Sequence, residues 1–274
     1  MHGANVDVRH VLGVSGVPFR CLALTGTSFT VGATPVFGVD GRPLLLSASV
    51  SDDTAGPAFN ERTARPLGQS MSLNGDPEAL AAYYAEWAAN YDADVGDEEY
   101  GLPNSVLFTI DAAAEHVPAI ADPATVVLDA GCGTGRVAMV LAARGYTTID
   151  GVDLSPEMVE IARERGIYRD LEADVDLTKP PTDRWRRCAP LVVVGGVFTV
   201  GHIPPGSLRT VLEYVEVGGV LVTTVRPGYF DSTNYGEVSD ELIASGAVDL
   251  LAAFDALPYT ADTTGRYYAY RVNR

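Results

Sequence analysis

Beyond residue 76, hydrophobic and polar positions alternate between two textures. Short, unbroken apolar runs at Val126–Leu128, Thr148–Val152, Leu191–Val194 and Gly219–Val225 read as strands buried on both faces. Stretches of helical period separate them, at Val137–Arg144, from Ser155 to just before Gly166, and at Pro205–Val215. Alternation of this kind predicts a parallel sheet flanked by helices. The chain then changes habit. A helix over Glu237–Ser245 is followed by two late strands, Val248–Phe254 and Arg266–Val272. Before the first strand, Asp76-Pro77-Glu78 signals a helix start, and Leu80, Tyr84, Trp87 and Tyr91 recur on one face with Tyr83 beside them. Such a stripe either fills a core or borders a ligand. Asn104–Val117 reads as a further helix, closed off by Pro118 and Asp122-Pro123, with His116 a dipole partner near its end.

Residues 1–70 have a different texture. Short β-prone runs (Val6–Leu12, Phe19–Leu24, Ser28–Val31, Pro35–Val39, Leu44–Val50) are broken by Gly and Pro, with a hairpin turn expected at Val39-Asp40-Gly41-Arg42. This segment is either a small β-rich domain or a leader ahead of a start at Met71, and Pro57–Leu73 reads as a linker. The boundaries expected are 1–70 and 71–274. Charge supports that division: the first 70 residues hold five basic and five acidic side chains, so all of the net −17 falls on the rest.

That charge argues against nucleic acid, because phosphate neutralisation needs clustered cations. Lys179 is the single lysine, a bias that fits a GC-rich genome. No apolar run reaches membrane length, and MHGANVDVRH lacks the hydrophobic region of a signal peptide. Cys21, Cys132 and Cys188 have no metal-ligand spacing. Together these features predict a cytoplasmic protein with no membrane partner. The acids Asp92, Asp94, Asp97, Glu98 and Glu99 read as a solvated loop, or as a lid favouring a cationic substrate.

The chemistry centres on Val126–Arg136, VVLDAGCGTGR. Asp129 ends the apolar run, and Gly131, Gly133 and Gly135 follow at alternate positions. Glycine is needed where the backbone takes positive φ and a ligand comes close. Asp153 ends the next strand, where a carboxylate meets the ribose diol of a nucleoside lying across the glycine turn. Ser155 and Pro156 supply the cap and first turn of the helix beyond it. Asp174 closes a short third strand, placed to accept from an adenine amino group. Gly195-Gly196 ends the Leu191–Val194 strand. The loop Val197–Pro205 then carries His202, which is either polar surface or a substrate-side base. A second loop, Arg226–Asp231, is placed to face substrate.

LDAGCGTGR, GVDLSPEM and EADV resemble motifs I, II and III of the class I S-adenosylmethionine-dependent methyltransferases. The run GIYRDLEADVDL…LVVVGGVFTVGHIPP…VGGVLVTTVR is similar, more closely, to the group of methyltransferase-like protein 27 and its bacterial relatives. The resemblance spans about residues 76–274. It implies a Rossmann-like seven-stranded, mostly parallel α/β sheet whose last strand is antiparallel, a pattern that the two late strands match. It implies S-adenosyl-L-methionine as cofactor, held by Tyr91, Asp129, Gly131, Cys132, Gly133, Gly135, Asp153, Leu154, Met158, Asp174, Val175 and Gly196, with the aromatic helix folded over the methionine moiety. His202 is the candidate catalytic residue. The acceptor expected is a small molecule methylated on O or N, such as a secondary metabolite, with no metal and a monomer or homodimer as the assembly. No Asn/Asp-Pro-Pro-Tyr signature of nucleic-acid N-methyltransferases is present. Three readings compete: a nicotinamide-dependent oxidoreductase, an enzyme using the bound sulfonium as a fixed charge for cyclisation, and a non-catalytic binding partner.

Overall fold

The computed structural model describes residues 30–37, 43–51, 71–95 and 101–274. Val31–Arg274 form one compact unit. Its strands, in chain order, are β1 (Thr30–Phe37), β2 (Pro43–Ser51), β3 (Val126–Ala130), β4 (Thr148–Val152), β5 (Asp170–Glu172), β6 (Ala189–Phe198), β7 (Val215–Val225), β8 (Val248–Pro258) and β9 (Thr264–Val272). The helices are α1 (Pro77–Val95), α2 (Leu102–Ala114), α3 (Arg136–Arg144), α4 (Pro156–Glu164), α5 (Ser207–Val211), α6 (Pro227–Ser232) and α7 (Tyr235–Ala244). The hairpin turn expected at Val39–Arg42, the β-prone runs before Ser28 and the Pro57–Ser70 stretch lie outside the described residues.

Seven strands run in the order β5-β4-β3-β6-β7-β9-β8, and β2 then β1 continue the sheet beyond β8. The neighbours from β5 to β7 are parallel, whereas β9 runs antiparallel to both β7 and β8. The period of two along β6 divides its side chains between the two faces. Leu191 and Val193 join a core with Leu102, Val106 and Ile110 of α2 and Leu141 of α3. Val192 and Val194 join the opposite core with Leu208 of α5, Tyr214 and Tyr235. Both faces are covered, so the strands read as unbroken apolar runs.

Three sequence expectations change. β6 does not stop at Gly195-Gly196 but runs on to Phe198, through an irregularity in register between Val194 and Phe198. Gly196 takes φ +80 there and donates its N–H to Thr224 Oγ1 at 2.8 Å, so the glycines bulge the strand rather than end it. The Arg226–Asp231 loop is instead the cap and body of α6, because Pro227 occupies its first position. The Pro205–Val215 helix shortens to α5 and one 3-10 turn, since β7 already begins at Val215.

Candidate active site

Reversal of strand order on either side of β3 opens a crevice at the carboxyl ends of the parallel strands. The turns after β3, β4, β5, β6 and β7 all reach it, and α1 closes one side. The resulting cleft has a volume of about 1140 Å³ out to its mouth.

At one end lies the glycine turn. Gly131 (φ +77) and Gly133 (φ +52) line the cleft, and a Cβ on Gly131 would stand 2.5 Å from Val197 Cγ2. A Cβ on Gly133 would meet nothing within 4 Å, so the backbone there faces open space. Asp153 sits across the turn. Its Oδ2 accepts the Gly133 N–H at 2.8 Å and its Oδ1 accepts the Ser155 N–H at 2.9 Å. Burial raises its carboxyl above the usual range, opposed by these backbone donors. Ser155 Oγ separately accepts from Met158 N at 3.3 Å and caps α4.

α1 brings the aromatic stripe. Trp87 is buried, with its ring centre 4.7 Å from Tyr91 and 6.0 Å from Tyr84, while Leu80, Tyr84 and Tyr91 line the cleft. The stripe therefore both packs and borders the cleft. Asp92 and Asp94 belong to this helix and not to a solvated loop; Asp97, Glu98 and Glu99 lie outside the described residues. Asp94 accepts from Trp87 Nε1 at 2.9 Å. Asp92 accepts from Thr134 Oγ1, inside the glycine turn, at 2.7 Å, pairs with Arg136 at 3.5 Å, and is bonded by Arg165. Arg165 also donates to the Thr134 carbonyl, so one carboxylate ties the end of α1 to the glycine turn. Charge-assisted bonds at a partly exposed site contribute roughly 1–2 kcal/mol in sum. Asp92→Ala is therefore expected to release bound cofactor about 5-fold to 30-fold faster in stopped-flow fluorescence. An unchanged dissociation rate would show that α1 does not hold the cleft closed.

The far end carries His202, Thr199, Arg226, Tyr259 and Thr260. His202 Nε2 lies 2.6 Å from Tyr84 Oη and its Nδ1 lies 3.2 Å from the Val200 carbonyl. Nδ1 therefore carries the proton, and Nε2 accepts from Tyr84. Burial, with the Arg226 charge behind it, lowers the ring's pKa to about 4. The ring is neutral near pH 7, and its acceptor nitrogen is engaged by Tyr84.

Of the residues expected to hold cofactor, Tyr91, Gly131, Gly133, Asp153, Leu154, Met158, Val175 and Gly196 line the cleft, as does His202. Four stand off its wall. Asp129 is buried beneath the turn, where Oδ2 accepts from Tyr168 Oη at 2.8 Å. Cys132 is buried with its sulfur 3.7 Å from the Gly133 carbonyl. Gly135 (φ +87) packs over Tyr168 and Arg165, leaving 3.1 Å for a Cβ. Asp174 is exposed just past β5 with φ +60, while Asp176, two residues on, lines the cleft. Sequence reasoning named none of Tyr168, Asp176, Thr199 and Tyr259 as site residues, although the first three lie in runs it quoted and only Tyr259 lies in none. Tyr84 and Arg226 lay in stretches it did single out.

Among the described residues no group of His, Cys, Asp or Glu is placed to hold a metal ion, and no helix is long and apolar enough to cross a membrane. Residues 127–215 match the sequence profile of a methyltransferase domain. The chain is 31% identical over 144 residues to human Methyltransferase-like protein 27, covering 53% of this chain and 56% of that protein. It is 33% identical over 125 residues to Trans-aconitate 2-methyltransferase of Rhodococcus jostii, 42% of each. The chain thus matches about half the length of these curated relatives. In fold it is similar to the crystal structure of Burkholderia thailandensis 1,6-didemethyltoxoflavin-N1-methyltransferase with bound 1,6-didemethyltoxoflavin and S-adenosylhomocysteine. That likeness has a TM-score of 0.50 at 15% identity, over 89% of this chain and 96% of that one. With the strand order, the antiparallel β9 and the glycine turn facing Asp153, these matches support a class I S-adenosylmethionine-dependent methyltransferase fold built around the methyltransferase domain at residues 127–215, with S-adenosyl-L-methionine as its cofactor.

Proposed function

We propose that this protein transfers a methyl group from S-adenosyl-L-methionine to an oxygen or nitrogen of a small molecule; the name of the Rhodococcus relative gives trans-aconitate, a small molecule, as the substrate of that protein. The observation that carries the reading is the two-ended cleft. A glycine turn with a facing carboxylate fits a nucleoside at one end, and a ring of polar side chains under an aromatic helix fits an acceptor at the other. The open space at Gly133, with lone pairs of Asp153 left on the cleft side of two short backbone bonds, suits a ribose diol.

The cofactor supplies an electrophilic methyl group, and the protein supplies orientation, desolvation and charge placement. Asp153 holds the ribose; Leu154, Met158 and Val175 bound the base; Tyr91 presents a ring to the sulfonium, a contact contributing about 0.5–2 kcal/mol. Tyr84 and His202 form a neutral pair beside the acceptor. With His202 held near 4, the site suits an acceptor whose reacting atom already has a free lone pair. The place of action is the cytoplasm, where Cys132 and Cys188 remain thiols.

Calorimetry is expected to show low-micromolar to submillimolar binding of S-adenosylhomocysteine and no useful binding of NAD, the reverse result favouring the oxidoreductase reading. Incubation with methyl-labelled cofactor and a metabolite extract, read by mass spectrometry, then separates transfer from its rivals. Labelled product supports methylation; a rearranged, unlabelled product would show the sulfonium serving as a fixed charge.

A further inference from the structure

Arg226 is the one lysine or arginine among the described residues lining the cleft. It follows directly on β7, two strand positions from the glycine turn after β3, or roughly 10 Å at about 4.8 Å per strand. The chain carries net charge −17, and ten other arginines pair with carboxylates. Arg226 does not: among the described residues no acid lies within ion-pair distance of it. Both acids of the cleft are engaged elsewhere, Asp153 at the glycine turn and Asp176 with Thr178 and, at 3.1 Å, Lys179. The guanidinium instead lies over the Tyr259 ring, 5.1 Å from its centre. Stacking of this kind fixes the plane of the fork and leaves its N–H groups for a planar anion. A half-buried cation without a counter-charge is costly, so an anion from outside is the natural complement.

A second, independent feature stands at the same end. Thr199 lines the cleft, is only 6% exposed, and its Oγ1 has no hydrogen-bond partner. Buried hydroxyls are almost always bonded, and an orphan on a cleft wall marks a place where a ligand completes the set. His202 is neutral and adds no positive charge. The end therefore offers one cation and one spare hydroxyl, which matches a singly charged carboxylate better than a phosphate dianion.

Resting on the methyltransferase reading above, we infer that Arg226 and Thr199 form a carboxylate-recognition site and that the methyl acceptor is a small carboxylic acid. Arg226 grips the carboxylate through its fork, Thr199 donates to it, and Tyr259 holds the fork in place. A carboxylate at this site has two sources, the acceptor or the amino-acid tail of the cofactor itself; the position two strands from the glycine turn assigns it to the acceptor.

The test has two stages. Calorimetry first compares S-adenosylhomocysteine with 5′-methylthioadenosine, which lacks the amino-acid tail, on wild type, Arg226→Met and Arg226→Lys. Affinity for both ligands is expected to stay within about twofold in every protein. A loss of S-adenosylhomocysteine binding confined to the Arg226 variants, with methylthioadenosine binding kept, overturns the assignment by giving the arginine to the cofactor. Absence of binding to wild type overturns the cofactor reading at this first stage, and the assignment with it. Second, the proteins loaded with S-adenosylhomocysteine are titrated with benzoate, succinate and citrate, with their uncharged amides, and with inorganic phosphate. At least one acid is expected to bind wild type tenfold or more tightly than its amide. Arg226→Met should erase that preference, Arg226→Lys should restore part of it, and Thr199→Val should weaken it severalfold. Equal binding of acid and amide, binding of phosphate alone, binding of none of the probes, or an acid affinity indifferent to Arg226→Met overturns the inference.

Discussion

Asp153→Ala is expected to weaken S-adenosylhomocysteine binding about 30-fold to 1000-fold while the ligand-free melting temperature barely moves. Hydrogen bonds to a charged group contribute roughly 1.5–3 kcal/mol each. A carboxylate spanning both hydroxyls of a ribose thus supplies about 2–4 kcal/mol after non-additivity, at about 1.4 kcal/mol per decade of affinity. The small effect on the ligand-free protein follows from two opposing changes. Alanine strands the N–H groups of Gly133 and Ser155, which Asp153 accepts at 2.8 and 2.9 Å. It also removes a carboxylate whose burial already disfavours its charge. Helix α4 keeps its cap, because Ser155 Oγ and not Asp153 accepts from Met158 N. Calorimetric affinity paired with a melting curve decides the matter. A variant that melts early yet binds normally would reduce Asp153 to a brace for the turn.

The same residues show what sequence patterning reveals and what it hides. Asp153 was legible because local rules converge on it: an apolar run ends there, and a cap and a proline follow within three residues. Thr148–Val152 and the late antiparallel pair were legible for the same reason, since each is set by near neighbours in the chain. The glycine pair at 195–196 misled, because a bulge and a strand end present the same two residues. Only the partner strand, through Thr224 Oγ1, tells them apart. Asp92 misled differently. Its helix runs past the point where acids accumulate, and the arginine that bonds it is 73 positions away. The acceptor end gave least: Thr199, Tyr259 and Arg226 come from three strand termini and meet only once the sheet is assembled.

Asp129→Asn is expected to stabilise the ligand-free protein above pH 8 and to give it a stability that rises from pH 4 to 6.5. Asp129 is 1% exposed; its Oδ2 accepts from Tyr168, and Oδ1 has no partner. Burial pushes its carboxyl up to about 7, with the Asp153 charge adding to the rise and the Tyr168 bond opposing it. A carboxyl raised above its unfolded value stabilises the fold fully below about pH 4, and that contribution is lost as pH climbs through about 7. At roughly 1.4 kcal/mol per pH unit, the loss is on the order of 4 kcal/mol. His202 works in the opposite sense. Its pKa is lowered to about 4, so its contribution is complete above its unfolded value of 6.5 and lost as pH falls through about 4, on the order of 3 kcal/mol. Over the shared window the two slopes nearly cancel in the wild type. Asparagine reproduces the protonated acid, keeps an acceptor for Tyr168 and removes one slope, leaving that of His202 exposed. His202→Gln should do the reverse, giving a protein whose stability falls from pH 4 to 7. Urea midpoints measured from pH 4 to 8.5 on the three proteins check both signs. An asparagine variant no more stable than wild type at pH 8.5 would mean that the buried carboxylate is held by donors that stabilise its charge.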